Sequence, residues 1–197
     1  MKIVDHKIPF NIFAEWLKKA NAKSEIVEPT AMCLATVDEN NHPSSRMVLL
    51  KKFDEHGFCF FTNLTSRKGK ELSHNKNVAL CFYWGALGLQ VRIEGEIEKV
   101  SAKEADDYFT SRRRGSQIGA WASKQSCNME NDEEFKQRLD EINENFANQD
   151  IPRPPFWSGF RVIPQKIEFW QEGEFRIHQR DLYSKSGKSW EVTKLYP

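Results

Sequence analysis

The feature that most constrains the fold is a run of alternating apolar and polar residues over 89–100. Successive side chains of a β-strand point to opposite faces, so this period of two predicts a strand with one buried face and one solvated face. One face holds Val91, Ile93, Gly95, Ile97 and Lys99, and the other holds Arg92, Glu94, Glu96 and Glu98.

Similar patterns recur along the chain, mostly joined by short turns. We predict strands at 31–37, 45–53, 58–62, 77–84, 89–100, 159–163, 166–171, 175–180 and 190–195. Such a series favours a mainly β fold with peripheral helices (α+β), built as an antiparallel β-barrel, over a doubly wound parallel sheet.

Helical periodicity is found between these strands. We predict helices at 10–21, 66–75, 101–113, 116–123 and 135–146. A proline-rich connector at 151–155 follows the last helix, and the strands beyond it are too few to close a separate core. We therefore predict a single domain over 1–197.

The composition limits the possible partners. The chain has 29 Lys and Arg against 28 Asp and Glu, a net charge of +1, which gives no electrostatic basis for binding nucleic acid or a membrane surface. The four cysteines form no C-x-x-C pair, so we expect reduced thiols and no metal site. There is neither a secretory signal nor an apolar stretch long enough to cross a bilayer, and we predict a cytoplasmic protein.

Cations and hydroxyls concentrate in four segments, at 46–51, 65–68, 111–117 and 176–180. Arg offers a planar fork of donors, Lys a point charge, and Ser or Thr a short neutral donor, which together suit a phosphate monoester. Any one segment alone is better explained as a solvated surface patch. Four of them favour more than one phosphate, and hence a cofactor together with a phosphorylated substrate.

A strand end, a polar loop and the start of a helix follow one another at 61–68. The first turn of this helix contains Arg67 and Lys68. Cations are unfavourable there unless an anion meets them, because the free N–H groups already make that end positive. Ser66 as a plain N-cap is an equally good interpretation of the segment.

Spacing relates polar groups in two other segments. Arg46 and Lys51 lie five residues apart on one predicted strand, so a regular strand would point them to opposite faces. Tyr108, Arg112 and Ser116 lie at intervals of four, which would place them on one helical face, where they could bind a second phosphate.

Arg176, His178 and Arg180 alternate with a period of two, so a regular strand would place all three on one face. Two arginines around an imidazole repel one another, which calls for a nearby anion or electron-rich ring. The sequence contains no P-loop, no G-x-G-x-x-G, no G-x-S-x-G and no metal-ligand spacing. An enzyme of this sequence would therefore depend on a bound cofactor for its chemistry.

From about Glu28 to Pro197 the sequence resembles the pyridoxamine/pyridoxine 5′-phosphate oxidases. The motifs that carry the resemblance are RMVLLK at 46–51, FTNLTSRK at 61–68, SRRRGSQIGAWASKQS at 111–126, FWSGFRV at 156–162 and IEFWQEGEFRIHQR at 167–180. Members of that family are homodimeric split barrels that bind FMN between their subunits. The resemblance therefore implies a split barrel, a homodimer and FMN.

Carried over by position, the resemblance implies two sets of ligands and a catalytic pair. FMN is expected to meet Arg46, Met47, Val48, Leu49, Leu50, Lys51, Phe61, Thr62, Arg67, Lys68, Gln90, Gln125, Ser126, Trp170 and Arg180. The substrate phosphate is expected to meet Lys51, Tyr108, Arg112 and Ser116. Arg176 and His178 are expected to flank the substrate pyridine ring as the catalytic groups.

The implied reaction oxidises pyridoxamine and pyridoxine 5′-phosphate, two B6 vitamers, to pyridoxal 5′-phosphate. A hydride passes from C4′ to the flavin, O2 reoxidises the flavin to release H2O2, and the amine also releases ammonia. Residues 1–9 lack the Arg and Tyr that in many relatives close over the site, so no closure by that segment is expected. Gln179 stands where Asp is common, and we expect somewhat altered turnover.

Other functions stay open. A related split-barrel flavin oxidase, of the phenazine-biosynthesis type, would act on another substrate, although Tyr108, Arg112 and Ser116 argue for a phosphorylated one. A non-catalytic protein that holds FMN or pyridoxal phosphate would release no peroxide. A nucleic-acid-binding barrel is disfavoured by the near-zero net charge.

Overall fold

The computed structural model describes residues 2–197, so Met1, which begins the predicted domain and the predicted N-terminal segment, lies outside the described residues. The described chain forms ten strands and five α-helices. The strands are β1 Lys2–Val4, β2 Ala31–Val37, β3 Pro43–Leu49, β4 Lys52–Asp54, β5 Gly57–Asn63, β6 Asn77–Trp84, β7 Leu89–Lys99, β8 Trp157–Gln171, β9 Gln179–Ser186 and β10 Ser189–Lys194. The helices are α1 Ile8–Asn21, α2 Arg67–His74, α3 Ala102–Thr110, α4 Arg114–Ala122 and α5 Asp132–Asn145.

Antiparallel pairing joins the strands in the order β1-β10-β9-β8-β7-β6-β2-β3, while β5 pairs with β8 and β4 with β5. The 15-residue β8 joins the main series of strands to the branch formed by β4 and β5, because its first half pairs with β5 and its second half with β9. Within residues 2–197 no ladder joins β3 to β4 or β5, so the barrel stays open there. The predicted mainly β, antiparallel split barrel with peripheral helices is confirmed, and β1 is a strand that the sequence pattern does not predict.

The strands predicted separately at 159–163 and 166–171 form one bent strand, β8. The pairing of β7 with β8 shifts register at Gly95, which lies opposite Pro164. A Cβ atom on Gly95 would lie 2.1 Å from the carbonyl oxygen of Ile163, so only glycine allows the two backbones to approach this closely.

The core lies between α1 and the sheet. Phe13 is fully buried, and its ring centroid lies 4.8, 5.0 and 5.1 Å from those of Phe53, Phe58 and Phe82. Edge-to-face packing of this kind stabilises the helix on the strands beyond the burial of apolar area alone. A smaller apolar cluster, which includes Phe109 and Trp157, lies where α3 and α4 meet the start of β8.

The strand predicted at 45–53 is broken at Leu50 and Lys51. The Leu50 amide donates to the carbonyl of Thr30 at 2.9 Å, and the Lys51 amide donates to the carbonyl of Cys59 at 2.9 Å. These bonds take the chain from β3, which pairs with β2, to β4, which pairs with β5. The two cations of this segment therefore do not share a regular strand.

The helix predicted at 101–113 ends early, because α3 ends at Thr110 and the next helix, α4, begins only at Arg114. Arg113 lies between the two helices with φ −58° and ψ 140°, which is not helical. Tyr108 is on α3, Ser116 is on α4, and Arg112 lies in the connection. The prediction that these three side chains share one helical face is therefore wrong.

The strand predicted at 175–180 is wrong over its first half. Glu174–Arg176 forms a 3₁₀ turn, in which two residues have φ values of 55° and 63°. The turn is tight, since a Cβ atom on Gly173 would lie 1.9 Å from the carbonyl oxygen of Ile177. β9 begins only at Gln179, so the predicted alternation of two arginines and His178 on one strand face is not formed.

No helix within residues 2–197 combines the length and apolar character needed to span a bilayer. In the same range, no group of three or more His, Cys, Asp or Glu side chains could hold a metal ion. The four cysteines are free thiols.

Candidate active site

A cleft of about 290 Å³ is bounded by β3, β5, the start of α2 and the end of α3. It is lined by Arg46, Met47, Val48, Leu49, Lys51, Phe61, Thr62, Asn63, Lys68, Tyr108, Arg112, Gln125 and Trp157. All of these except Asn63 and Trp157 belong to the predicted ligand sets. The fold therefore brings predicted cofactor residues and predicted substrate residues together in one cleft.

Lys68 lies in the first turn of α2 with its side chain buried. Its Nζ donates to Thr62 Oγ1 at 3.1 Å and to Gln125 Oε1 at 2.7 Å, which are both neutral oxygens. Burial and the neighbouring Arg46 guanidinium lower the pKa of Lys68. A buried ammonium with neutral hydrogen-bond partners, at a helix N-terminus, fits a bound anion.

The loop before α2 is held by its own side chains. Ser66 Oγ accepts from the Gly69 amide at 3.3 Å, and Asn63 Oδ1 accepts from the Thr65 amide at 2.7 Å. The plain N-cap at Ser66 is therefore present, and the cations of the first turn stand beside it. The two interpretations of this segment are compatible.

Glu71 lies at the centre of a hydrogen-bonded cluster beside the cleft, and its side chain is 5% exposed. Its carboxylate accepts hydrogen bonds from Arg46 Nη2 at 2.9 Å, Arg67 Nε at 2.8 Å, Ser44 Oγ at 2.9 Å and Thr36 Oγ1 at 2.5 Å. Burial opposes ionisation, but these hydrogen bonds hold the pKa of Glu71 at about 2. The carboxylate is therefore charged at neutral pH.

Aromatic rings form another part of the cleft. The Phe61 ring stacks on Tyr108 with centroids 4.1 Å apart and on Trp157 with centroids 5.4 Å apart. The Arg112 guanidinium lies 5.0 Å from the Trp157 ring centroid, and its buried Nη1 has no hydrogen-bond partner within residues 2–197. Burial lowers the pKa of Arg112 and raises the pKa of Tyr108. A buried donor without an acceptor fits a bound anion.

A second group of predicted residues lies around β7, β8 and β9. In the sheet Gln90 pairs with Trp170, and Trp170 pairs with Arg180. The His178 ring centroid lies 4.5 Å from that of Trp170, and His178 Nδ1 accepts from the Gly173 amide at 3.3 Å. We refer to Gln90, Trp170, His178 and Arg180 as the Trp170 cluster.

The Trp170 cluster is hydrogen-bonded to a second buried carboxylate, that of Glu168. Glu168 is 3% exposed and accepts from Arg180 Nε and from Arg92 Nη2, each at 2.8 Å. The hydrogen bond to Glu168 raises the pKa of Arg180. No residue of this cluster lines the cleft. The two groups lie at opposite ends of β8, because Trp157 at its start lines the cleft and Trp170 lies near its end.

The remaining predicted residues lie outside both groups. Leu50 is 4% exposed, and its side chain belongs to the core. Ser116 on α4 and Arg176 in the 3₁₀ turn are exposed. Ser126 has φ 70° and lines a neighbouring cavity together with Arg67.

Two buried carboxylates that pair with predicted site residues, Glu71 and Glu168, are absent from the predicted set. Weak signals for both exist in the sequence. Glu71 follows Arg67 by four residues, which is the spacing of a helical ion pair. Glu168 stands among Ile167, Phe169 and Trp170, where a buried carboxylate needs cationic partners.

The chain matches two protein-family models. Residues 19–146 match the model described as pyridoxamine 5′-phosphate oxidase, and residues 157–197 match the pyridoxine 5′-phosphate oxidase C-terminal dimerisation region. The second match supports a homodimer. A protein of Gluconobacter oxydans named pyridoxine/pyridoxamine 5′-phosphate oxidase is 51% identical, over 96% of this chain and 94% of the relative. One of the same name from Myxococcus xanthus is 49% identical, over 96% and 91%.

Two solved structures are also similar. PhzG from Burkholderia lata, in complex with tetrahydrophenazine-1-carboxylic acid, has a TM-score of 0.89 at 31% identity, covering 96% of this chain and 92% of that one. A pyridoxamine 5′-phosphate oxidase-related, FMN-binding protein from Nostoc punctiforme has a TM-score of 0.77 at 17% identity, covering 100% of both chains, and shows the shared fold. From the family matches and the relatives that share about half of its residues, the chain belongs to the pyridoxamine 5′-phosphate oxidase family.

Proposed function

We propose that this protein is a cytoplasmic, FMN-dependent oxidase that converts pyridoxamine 5′-phosphate and pyridoxine 5′-phosphate into pyridoxal 5′-phosphate, in vitamin B6 biosynthesis or salvage. O2 accepts the electrons and leaves as H2O2, and the amine also consumes water and releases ammonia. One observation carries the proposal: a single cleft contains two cationic sets, Arg46 with Lys68 and Lys51 with Arg112. FMN and a B6 vitamer each carry one phosphate monoester, so two sets match two ligands.

The set of Arg46 and Lys68, at the start of α2, fits the phosphate of FMN. Together with Arg67, which lines the adjoining cavity, these residues contribute three positive charges and Glu71 one negative charge, so the formal total is +2. A phosphate monoester carries a charge of about −1.5 to −2 at pH 7, which this total matches. The Thr62 hydroxyl and the N-terminal amides of α2 add neutral donors. Bound FMN would supply the electron acceptor that the side chains lack.

The set at α3 fits the phosphate of the substrate. Arg112 offers a buried guanidinium nitrogen without an acceptor, and Lys51 and Tyr108 line the same cleft. The break between β3 and β4 is what brings Lys51 to this side of the cleft. We retain Ser116 as a fourth member of this set, acting as a neutral donor from α4.

The proposed FMN site lies between two subunits. The cleft of one protomer would supply the phosphate sites, and the Trp170 cluster of the partner subunit would complete the site around the flavin ring. This placement is supported by the separation of the two groups along β8, whose start lines the cleft and whose end carries Trp170. It is also supported by the position of Trp170, His178 and Arg180 within the segment that matches the dimerisation region.

The proposed roles of the side chains are binding and orientation. Arg176 and His178 flank the substrate pyridine ring. Because His178 Nδ1 accepts from the Gly173 amide, the neutral ring carries its proton on Nε2, from which it can donate to the substrate. His178 therefore need not act as a general base. Positive side chains along the cleft stabilise negative charge that builds up during electron transfer.

The similarity to PhzG supports one alternative, an oxidase that acts on an unphosphorylated carboxylic acid. That similarity is at 31% identity, whereas the relatives named as oxidases of the phosphorylated vitamers are about half identical. Arg112 and Lys51 carry two positive charges beside Tyr108, which match the charge of a phosphate monoester, about −1.5 to −2, better than that of a single carboxylate.

The visible spectrum of the purified protein tests the proposal. We expect a yellow protein that bleaches when pyridoxine 5′-phosphate is added without oxygen, and that releases H2O2 once air is admitted. A colourless protein that takes up no FMN would contradict the cofactor. A yellow protein that pyridoxine 5′-phosphate leaves unchanged would point to the alternative substrate.

A further inference from the structure

We infer that Glu71 is a positioning residue for the FMN phosphate, because it holds two arginines in the orientation in which they meet that anion. The inference rests on the proposed function, since it concerns the phosphate of FMN. Glu71 is not itself placed in contact with the ligand.

The hydrogen bonds of Glu71 connect three elements. Its Oε2 accepts from Arg46 on β3 and from Thr36 on β2, and its Oε1 accepts from Arg67 on α2. Ser44 donates to both oxygens at 2.9 Å. The carboxylate is therefore saturated with donors that lie on separate parts of the chain, so it fixes α2 relative to β2 and β3.

The two arginines are held in different ways. Arg46 is fixed on several sides, since Nη1 also donates to the Leu34 carbonyl at 3.2 Å and Nη2 to Ser44 Oγ. Arg67 is held through Nε alone, and its side chain is 64% exposed. Within residues 2–197 its two terminal nitrogens make no hydrogen bond. Glu71 therefore orients the Arg67 guanidinium and leaves both terminal nitrogens available to a phosphate.

The charge of the cluster points to a ligand. A carboxylate that served only a structural ion pair would balance one cation, whereas Glu71 is shared by two arginines beside buried Lys68. Arg46 and Lys68 carry like charges, and Arg46 adds to burial in lowering the pKa of Lys68. Without Glu71, repulsion among Arg46, Arg67 and Lys68 would move the two arginines apart, and the phosphate would meet them in the wrong geometry.

The test compares FMN with riboflavin, which is the same flavin without the phosphate. Binding to the apoprotein is measured by quenching of flavin fluorescence, for wild type, Glu71→Ala and Glu71→Gln. We expect Glu71→Ala to raise the Kd for FMN at least about tenfold, as for the loss of a charged hydrogen bond, and to change the Kd for riboflavin less than about twofold. Glu71→Gln keeps one acceptor oxygen, so its loss should be about threefold and again confined to FMN.

Asp54→Ala is the matched control. Asp54 pairs with Arg161 at 2.6 Å and lines no part of the cleft, so its removal breaks a partly buried ion pair elsewhere. We expect it to leave both Kd values unchanged. A general loss of packing would weaken FMN and riboflavin equally in every variant.

Three results would overturn the inference: unchanged or tighter FMN binding by Glu71→Ala, an equal loss for both flavins, or an equal effect of Asp54→Ala. If Glu71→Ala does not fold, FMN and riboflavin are compared with Glu71→Gln instead. An unchanged Kd of Glu71→Gln for FMN would then overturn the inference. Failure of the wild-type protein to bind FMN would instead overturn the proposed function, which keeps the two outcomes distinct.

Discussion

Arg112 packs over the rings of Trp157 and Phe109, and one of its terminal nitrogens is buried without an acceptor. Burying this donor without an acceptor costs free energy, and a hydrogen bond to a bound phosphate would offset that cost. We predict that Arg112→Ala raises the KM for pyridoxine 5′-phosphate by about 10- to 100-fold, as for a charged hydrogen bond of roughly 1.5–3 kcal/mol. The kcat should change little, because the phosphate is remote from the reacting carbon. Steady-state release of H2O2 measures both constants.

The neighbouring Arg113 provides the control for this prediction. It is exposed, makes no side-chain cap to α4 and does not line the cleft, so Arg113→Ala should leave KM unchanged. If Arg112→Ala also left KM unchanged, the substrate phosphate would lie elsewhere, and the alternative of an unphosphorylated substrate would gain support.

At the scale of residues, the sequence predicts the cations better than their partners. Arg46, Lys68 and Arg112 are recognisable from their types and motifs, and the structure places all three in the cleft. Glu71 and Glu168 are not, because a buried carboxylate and a solvated one look alike in the sequence. Only the fold shows that each accepts hydrogen bonds from two arginines.

At the scale of elements, regular strands are predictable and their interruptions are not. The predicted bounds 31–37 and 77–84 coincide with β2 and β6, because alternating burial is a local pattern. The break at Leu50 and Lys51 depends on carbonyls of Thr30 and Cys59, which lie outside the predicted strand. Hydrogen bonds to other segments leave no periodic signal.

The bend of β8 allows a direct test of its cause. A Cβ atom on Gly95 would overlap the carbonyl of Ile163 at 2.1 Å, so Gly95→Ala must push β7 away from β8. We predict a loss of about 3 kcal/mol in the free energy of unfolding, typical of severe overpacking. Urea denaturation at fixed protein concentration measures it.

Gly119 is the matched glycine for that experiment. It lies within α4, and a Cβ atom there would have no neighbour within 4 Å. Gly119→Ala should raise the stability by about 0.5–1 kcal/mol, since glycine is a poor helix former. Equal effects of the two substitutions on the free energy of unfolding would show that the close approach of β7 and β8 does not require glycine at position 95.

At the scale of the whole molecule, both ends of the chain join one core. Phe10 of α1 and Trp190 of β10 belong to the same buried cluster, with ring centroids 6.3 Å apart. The long strand β8 connects the part of the sheet near the cleft with the part that carries the Trp170 cluster. These features support the predicted single domain, which stays a prediction.

If the site is shared between subunits, a mixed dimer of two inactive variants should regain activity, which a site within one subunit would not allow. Lys68→Ala removes a residue of the cleft, and Arg180→Ala removes a residue of the Trp170 cluster, so each homodimer should lose most of its activity. In a mixed dimer of the two variants, one site carries both substitutions and the other carries neither. Random mixing makes about half of the dimers mixed, and each has one intact site of two, so we predict about a quarter of wild-type activity. Co-expression with two affinity tags isolates the mixed dimer, which should have about half of wild-type activity and bind one FMN tightly. Mixed dimers as inactive as their parents would instead place both groups of residues around a flavin held by a single subunit.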